Sequence, residues 1–341
     1  MVIMNNEVST LSQDRAFVSR LASQVNLPYK RQHKKEITKT NGNLTVRFVA
    51  GGDELPYGRY PRLIEIWLTT MIKTSAPCWN PQTRTISIGT SFRAFMRLIG
   101  AEIGGKSMHQ IKKQLENLCS CAYFISNNDD DSSKGLNFTV AEQYNIDWLK
   151  PTEDGSKSNW IRLSEGYANK LINSTVPIDL HILSQLSKPM SLDIYLWLNH
   201  RFSYLHKPCR ISWETLYNQF GSNSDIYKFR QNFKHALKDV LEAYPAAKVT
   251  YSTKSVTLYP SPTSLPTKAQ KQYERQLAKS SRTAQNNDWH AQQMYGKDIW
   301  TTTELFNVDD AQNHLFGFAE PDTCPFCIAD SRNTENHGSL S

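Results

Sequence analysis

The chain has 341 residues, 39 Lys/Arg against 32 Asp/Glu and a sequence pI of about 9.0, enough length for two or three domains with real cores. Six scattered cysteines and the lack of any run of about 18 apolar residues exclude a disulfide scaffold of the secreted type and a membrane-spanning helix. The start, MVIMNNEVST, lacks the basic-then-apolar order of an export signal, so a reducing, cytoplasmic setting is expected.

The charge is uneven. Residues 264–341 carry seven Lys/Arg and ten Asp/Glu, which leaves 32 against 22 in residues 1–263. The excess positive charge therefore sits in the body of the protein and predicts an acidic partner there.

In chain order, residues 1–40 read as a basic N-terminal arm around the run Lys30-Arg31-Gln32-His33-Lys34-Lys35. Asn41-Gly42-Asn43 signals a turn, and Leu44–Ala50 alternates as a strand should. Pro61 suits the first turn of a helix whose apolar face is Leu63, Ile64, Ile66, Trp67 and Met71, ending before Pro77. A short strand over Thr83–Ser87 precedes a helix over Phe92–Leu98, capped by Thr90 or Ser91. Gly100, Gly104 and Gly105 free the backbone for a turn. Ser107 is expected to cap a second helix over Met108–Leu118, with Met108, Ile111, Leu115 and Leu118 inward. Cys119–Ser126 and Leu136–Val140 read as a hairpin around a polar loop at 127–135.

The grammar then restarts. Trp160–Leu163 reads as a strand and Ser164 as the cap of a helix through Leu171. Short and long helices follow at Asp179–Leu186 and from Ser191. Ser212 caps ISWETLYNQFG, which Gly221 stops. A long helix over Asp225–Leu241 keeps Phe229, Phe233, Leu237 and Leu241 on one seam, and Lys248–Leu258 reads as strand–turn–strand. Helix, short helix, basic helix and hairpin thus occur twice, an order shared with winged helix-turn-helix domains. Residues after Pro262 are polar and read as a flexible tail.

Two helices are candidate readers of a DNA major groove. In the first, Gln110, Lys113 and Asn117 suit base edges, while Lys106, His109 and Lys112 suit phosphates; an ordinary solvated helix face is the alternative. In the second, Arg230 and Gln231 suit base edges, Lys228, Lys234 and Lys238 suit phosphates, and His235 has no assigned role. Arg59 and Arg62 flank Pro61 at a helix N-terminus, where a phosphate contact and a salt bridge to Glu65 are equally open. Phe202, Tyr204 and Tyr227 read as core or part-buried rings rather than stacking platforms.

Signals for chemistry are poor. There is no phosphate-binding GxxxxGK[ST] loop, no HExxH and no His-x-His pair. Cys324-Pro325-Phe326-Cys327 has metal-like spacing, but His314 and His337 lie too far off in sequence to complete a familiar zinc site, and two free thiols are the simpler reading. No enzyme activity, metal or cofactor is expected.

Several long motifs in one order carry a family resemblance: TKTNGNLTV at Thr38–Val46, LPYGRYPRLIEIWLTT at Leu55–Thr70, SFRAFMRLIG at Ser91–Gly100, LDIYLWLNHRFSYLHKP at Leu192–Pro208 and ISWETLYNQFG after it. Over about residues 15–262 the chain resembles the plasmid-encoded RepA-type replication initiators of bacteria. The resemblance implies an α+β protein of two tandem winged-helix domains, over 41–158 and 159–262, with a largely disordered tail over 263–341. It implies binding to repeated origin sequences (iterons) in double-stranded DNA, help in opening the duplex, recruitment of the host initiator and replicative helicase, and self-repression as a homodimer. A repressor without an initiator role, an origin-nicking enzyme, and a protein whose basic helices bind another protein or a membrane are the rival readings.

Overall fold

The computed structural model describes residues 15–88, 96–97, 104–129, 132–146, 159–221 and 224–265. The helix expected over Phe92–Leu98, apart from residues 96–97, lies outside these residues, as does the tail from residue 266 with Cys324 and Cys327. The chain divides into units at Leu265/Pro266, and every described residue belongs to the first.

That unit is a mixed α+β body in which every described strand pair is antiparallel. The stretch expected as an arm is built into it. Strand β1 (Arg15–Ser19) buries Ala16 and Val18 and pairs with β10 (Thr175–Asp179). Helix α1 (Arg20–Gln24) follows, capped by the Ser19 hydroxyl, which accepts from the Ala22 N–H at 3.1 Å. Strands β2 (Glu36–Asn41) and β3 (Leu44–Val49) then form a hairpin. Its two-residue turn opens on Gly42 at φ 58°, a conformation that favours glycine.

Helix α2 (Arg59–Lys73) is the centre of the unit. Pro61 fills its first turn as expected. The predicted apolar face is buried, and so is every other residue from Pro61 to Ile72. Because the whole helix is enclosed, its polar side chains all need internal partners. Thr70 Oγ1 accepts from the Phe17 N–H of β1 at 2.9 Å. Glu65 accepts from the hydroxyls of Tyr123 (3.0 Å) and Tyr167 (3.2 Å) at one oxygen.

Burial pushes the Glu65 carboxyl up to about 7, against the lowering pull of those two hydroxyls. The folded state thus holds this proton more tightly than the unfolded chain. Stability from this group is present below the unfolded value of about 4.5 and is lost as pH rises through 7. Glu65→Gln keeps an acceptor for both tyrosines and removes the charge. Its unfolding free energy, read from urea titrations, should match wild type near pH 4 and exceed it at pH 8 by about 2–3 kcal/mol. Equal pH profiles for the two proteins would reject this account.

Strands β4 (Trp79–Asn80) and β5 (Thr85–Ser87) precede helix α3 (Gly105–Cys119). Ser107 does not cap α3. Gly104 is the N-cap, and the Ser107 hydroxyl, inside the first turn, accepts from the Gly104 N–H at 2.8 Å. Strands β6 (Ala122–Asp129) and β7 (Ser132–Thr139) form a longer hairpin than expected: the predicted loop 127–135 is mostly ladder, through Asn127↔Lys134 to Asp129↔Ser132. A polar sequence does not prevent ladder pairing, because the bonds are made by the backbone. This hairpin extends the first β-pair into a sheet ordered β2-β3-β6-β7.

A second hairpin joins β8 (Ala141–Asn145) to β9 (Trp160–Leu163), in a sheet ordered β4-β5-β9-β8. Helices α4 (Glu165–Asn173) and α5 (Leu180–Gln185) are capped by Ser164 and Asp179. Helix α6 (Pro189–Phe202) is buried nearly all round, like α2. After β11 (Cys209–Ser212), helices α7 (Trp213–Phe220) and α8 (Ile226–Ala243) lead to β12 (Val249–Tyr251) and β13 (Ser255–Leu258), in a sheet ordered β11-β13-β12. The orders β5-β9-β8 and β11-β13-β12 are the same: a strand from between helices pairs with the second strand of the later hairpin. The partner of β5 is therefore the β8–β9 hairpin, not the 119–140 hairpin singled out in the sequence.

Two polar links tie the early elements to the late ones. Arg62 of α2 meets Asp193 of α6 through two 2.7 Å bonds, both side chains at 3% exposure or less. Lys39 of β2 is buried against the end of α7, where its ammonium donates to the carbonyls of Phe220 (3.4 Å) and Gly221. Burial and the nearby Arg62 charge push Lys39 down to about 8. Gly221 stops α7 as expected, and a Cβ there would lie 2.3 Å from the Tyr217 carbonyl oxygen.

Candidate nucleic-acid interface

Helix α8 is rotated by its aromatic seam. Phe229, Phe233, Ala236, Leu237 and Val240 are buried. Phe233 sits 5.3 Å from Phe220, 5.6 Å from Phe229 and 5.7 Å from Trp213, ring centre to ring centre. Edge-to-face packing of this kind fixes orientation as well as burying area. Asp225 caps the helix by accepting from the Lys228 N–H at 2.8 Å.

With that seam inward, Tyr227, Lys228, Gln231, His235 and Lys238 face solvent. His235 Nδ1 lies 2.8 Å from the Gln231 carbonyl, and Lys238 makes a loose 3.8 Å pair with Glu242. Arg230 and Lys234 are half-buried on the flank of the helix. The Arg230 Nε is enclosed without a hydrogen-bond partner. The Lys234 ammonium lies 5.7 Å from the Trp213 ring centre and 5.0 Å from that of Tyr251. Lys234, expected as a free phosphate ligand, is thus a cation shared by two rings, and it ties α8 to the β12–β13 hairpin.

That hairpin contributes residues the sequence reading did not count. Tyr251 is 53% exposed, and Lys254 stands exposed at the turn. The Ser252 hydroxyl accepts from the N–H groups of Lys254 (3.2 Å) and Ser255 (3.1 Å) and so fixes the turn. The signal was a lysine at the tip of a Ser-rich turn; the pairing of β11 with β13 and the Lys234 contact with Tyr251 bring the hairpin beside α8. Tyr227 is 75% exposed, so it is no core ring, whereas Phe202 is buried and Tyr204 half-buried.

Helix α3 buries Ile111, Gln114, Leu115 and Leu118. The Gln114 carbonyl oxygen accepts from the Tyr57 N–H at 2.7 Å. His109 is exposed; Gln110, Lys112, Lys113 and Asn117 are half-buried. Lys112 lies 3.8 Å from Glu116 one turn on. Lys106 belongs to the first turn, and its side chain lies outside the described residues.

Lys113 and Asn117 are not free to read bases in this arrangement. Both turn to Glu54, Lys113 at 2.6 Å and Asn117 at 3.5 Å. Burial raises the Glu54 carboxyl, but the hydrogen bond and charge of Lys113, helped by Arg31, carry it below its ordinary value.

The arginines near Pro61 part company. Arg59 is half-buried at the start of α2, its pKa lowered by burial and its Nε without a partner. Arg62 is neither a phosphate ligand nor a partner of Glu65. It is enclosed, and its guanidinium is committed to Asp193 and to the carbonyls of Leu27, Pro28 and Gly58. Among the described residues no group of three or more His, Cys, Asp or Glu side chains is placed to share a metal ion, and no helix is long and apolar enough to cross a membrane.

Fold and charge together define an antiparallel α+β protein that displays cation-bearing helices beside hairpins. Residues 55–215, a little under half of the chain, match the family described as plasmid encoded RepA protein, which supports a likeness to the RepA-type replication initiators. The matched segment is narrower than the 15–262 over which the motifs showed a resemblance. A probable replication protein Rep of Bifidobacterium longum (strain NCC 2705) is 36% identical over 59 residues, 17% of this chain and 20% of that protein. The match thus spans about a fifth of the relative's length. Among solved structures, domains 2 and 3 of RctB overlay with a TM-score of 0.47 at 11% identity, covering 71% of this chain and 96% of that one. A second RctB domain 2–3 structure gives 0.42 at 10% identity, covering 70% and 94%. Both likenesses are too weak to define the fold.

Proposed function

We propose that the chain initiates plasmid replication by binding repeated origin sequences in double-stranded DNA through two winged-helix modules, one around α3 whose sheet is completed by β9 (Trp160–Leu163) and one around α8. The observation that carries this reading is the outward row Lys228, Gln231, His235 and Lys238 on α8, next to a hairpin that offers Lys254. Helix, strand, two helices and hairpin, with the sheet ordered β11-β13-β12, is the winged-helix order.

In this reading α8 lies in the major groove. Lys228, Lys238 and Lys254 neutralise phosphates and supply affinity, while Gln231 offers a paired donor and acceptor to an adenine edge. Arg230 reaches base edges only by swinging off the flank of the helix. Helix α3 is the corresponding element of the first module, with His109, Gln110 and Lys112 as its outward contacts. Several copies on adjacent repeats bend the duplex, the contacts offset the bending cost, and a neighbouring A·T-rich segment opens. Recruitment of the host initiator and helicase, self-repression as a dimer and action in the bacterial cytoplasm belong to the same proposal. The protein performs no catalytic step in it, so supercoiled origin DNA incubated with the chain and magnesium stays uncut.

Titrating the full chain onto duplex repeats from its own origin, over a salt series and beside random duplex, tests the reading. Affinity for the repeats should exceed that for random duplex and fall steeply as salt rises. Salt-independent binding, or no preference for the repeats, would reject it. A repressor that lacks the initiator role uses the same surface; plasmid maintenance in a host without the native protein separates the two.

A further inference from the structure

The run Lys30–Lys35 carries five cationic or titratable basic side chains in six residues and was expected to be part of a basic N-terminal arm. In the structure it is a fixed loop. Before it, Gly58 donates its N–H to the Pro28 carbonyl at 3.0 Å, and Arg62 donates to the carbonyls of Leu27 and Pro28. After it, Ala50 donates its N–H to the Lys35 carbonyl at 2.8 Å. Within it, the Gln32 amide donates to the Lys30 carbonyl at 3.0 Å.

Lys30, Arg31, His33, Lys34 and Lys35 are all exposed on this loop. Among the described residues no carboxylate forms an ion pair with Lys30, Lys34 or Lys35. The loop's own link to the body is Glu54, 4% exposed, with Arg31 at 2.5 Å on one side and Lys113 of α3 at 2.6 Å on the other. One buried carboxylate therefore sets the loop and the candidate first reader helix side by side. Arg31 remains 67% exposed while paired.

We propose that the Lys30–Lys35 loop is a DNA-phosphate binding surface, held in register with α3 by Glu54, so that the first module grips a duplex with helix and loop together. This rests on the reading that the ligand is duplex DNA. A fixed row of unpaired cations repels itself and costs the fold stability, a cost that a line of phosphates offsets. A loop already ordered loses little freedom on binding. A membrane surface is the poorer fit, because the exposed large apolar side chains of the described residues all lie elsewhere: Leu136, Tyr144, Ile172, Tyr227, Tyr251 and Tyr259. Glu54 is a positioning residue here: it touches Arg31 and Lys113, not the DNA.

The test uses the full chain on duplex origin repeats and on random duplex. Lys34→Ala with Lys35→Ala removes two exposed ammonium groups and leaves Arg31–Glu54 in place. The fall in affinity between about 50 and 200 mM salt should become roughly tenfold shallower, equally on both duplexes, as expected for two lost phosphate contacts. Glu54→Gln gives a second readout. Removing a negative charge should by itself tighten binding to any duplex; loss of positioning instead weakens binding to the repeats more than to random duplex. Lys34→Gln alone, with about half the change in salt dependence, serves if the double variant folds poorly.

An unchanged salt dependence in the loop variant, while Lys228→Ala with Lys238→Ala on α8 loses affinity, overturns this proposal and leaves the DNA reading standing. Equal tightening of Glu54→Gln on both duplexes overturns the positioning role. Failure of the wild-type chain to bind any duplex, or binding to anionic vesicles in its place, overturns the functional reading and this proposal with it.

Discussion

Arg62→Met should lower the stability of the full chain by about 3–5 kcal/mol, read as a large drop in the urea midpoint. Every N–H of this guanidinium is used. Nε and one terminal nitrogen donate to the two Asp193 oxygens at 2.7 Å, and the terminal nitrogens also reach the carbonyls of Leu27 (2.5 Å), Gly58 (2.6 Å) and Pro28 (3.2 Å). Its charge lies 5.0 Å from the Tyr29 ring centre. Methionine retains much of the packing and none of the donors. It leaves a buried carboxylate without its cation and takes a donor from each of three carbonyls, and the unpaired buried charge is the costly part. Asp193→Leu should cost a similar amount, and the two changes together clearly less than their sum, since the double variant strands no charge. An unfolding free energy within about 0.5 kcal/mol of wild type for Arg62→Met would show that the pair carries little of the fold's stability.

The second large effect belongs to α8. Lys228→Ala with Lys238→Ala should weaken binding to every duplex and reduce the slope of log affinity against log salt by about 2. Gln231→Ala should leave that slope unchanged and cost about 1–3 kcal/mol on the preferred site alone. The different responses follow from side-chain chemistry on one exposed face: ammonium groups meet a uniform phosphate chain, and a carboxamide matches one base edge. Lys234→Ala removes the cation between Trp213 and Tyr251, so its effect should include loosening of the hairpin against α8. If Gln231→Ala weakened random and preferred duplex alike, Gln231 would not be a base reader.

Local pattern was enough for the elements whose neighbours in sequence are also their neighbours in space. The caps Ser164 and Ser212, the stop at Gly221 and the seam of Phe229 and Phe233 were all legible, because each depends on residues within a turn or two. Ser107 misled because a serine before an apolar helix serves equally as a cap or inside the first turn, and the glycine ahead of it took the cap.

Arg62 shows the harder limit. Its sequence setting, a helix N-terminus beside another arginine, suits an anion, and the carboxylate that claims it lies 131 residues away in α6. Lys113 and Asn117 were drawn off the candidate site by Glu54, which belongs to no helix or strand and gave no signal of its own. Tyr251 and Lys254 joined the site through the pairing of β11 with β13, a contact distant in sequence. A helical period says which side of a helix is wet, but not which wet side chains a distant loop will occupy.

The pairing of β1 with β10 sets an order on biosynthesis. Arg15 lies opposite Asp179 and Ser19 opposite Thr175, so β1 has no strand partner until the whole intervening stretch has been made. Closing so long a loop is entropically slow, and contacts this distant in sequence retard folding. Ala16 and Val18 stay open to chaperones and to other nascent chains throughout that delay. Completion of the β10 segment, rather than formation of the early helices, is then the moment at which β1 can close its ladder.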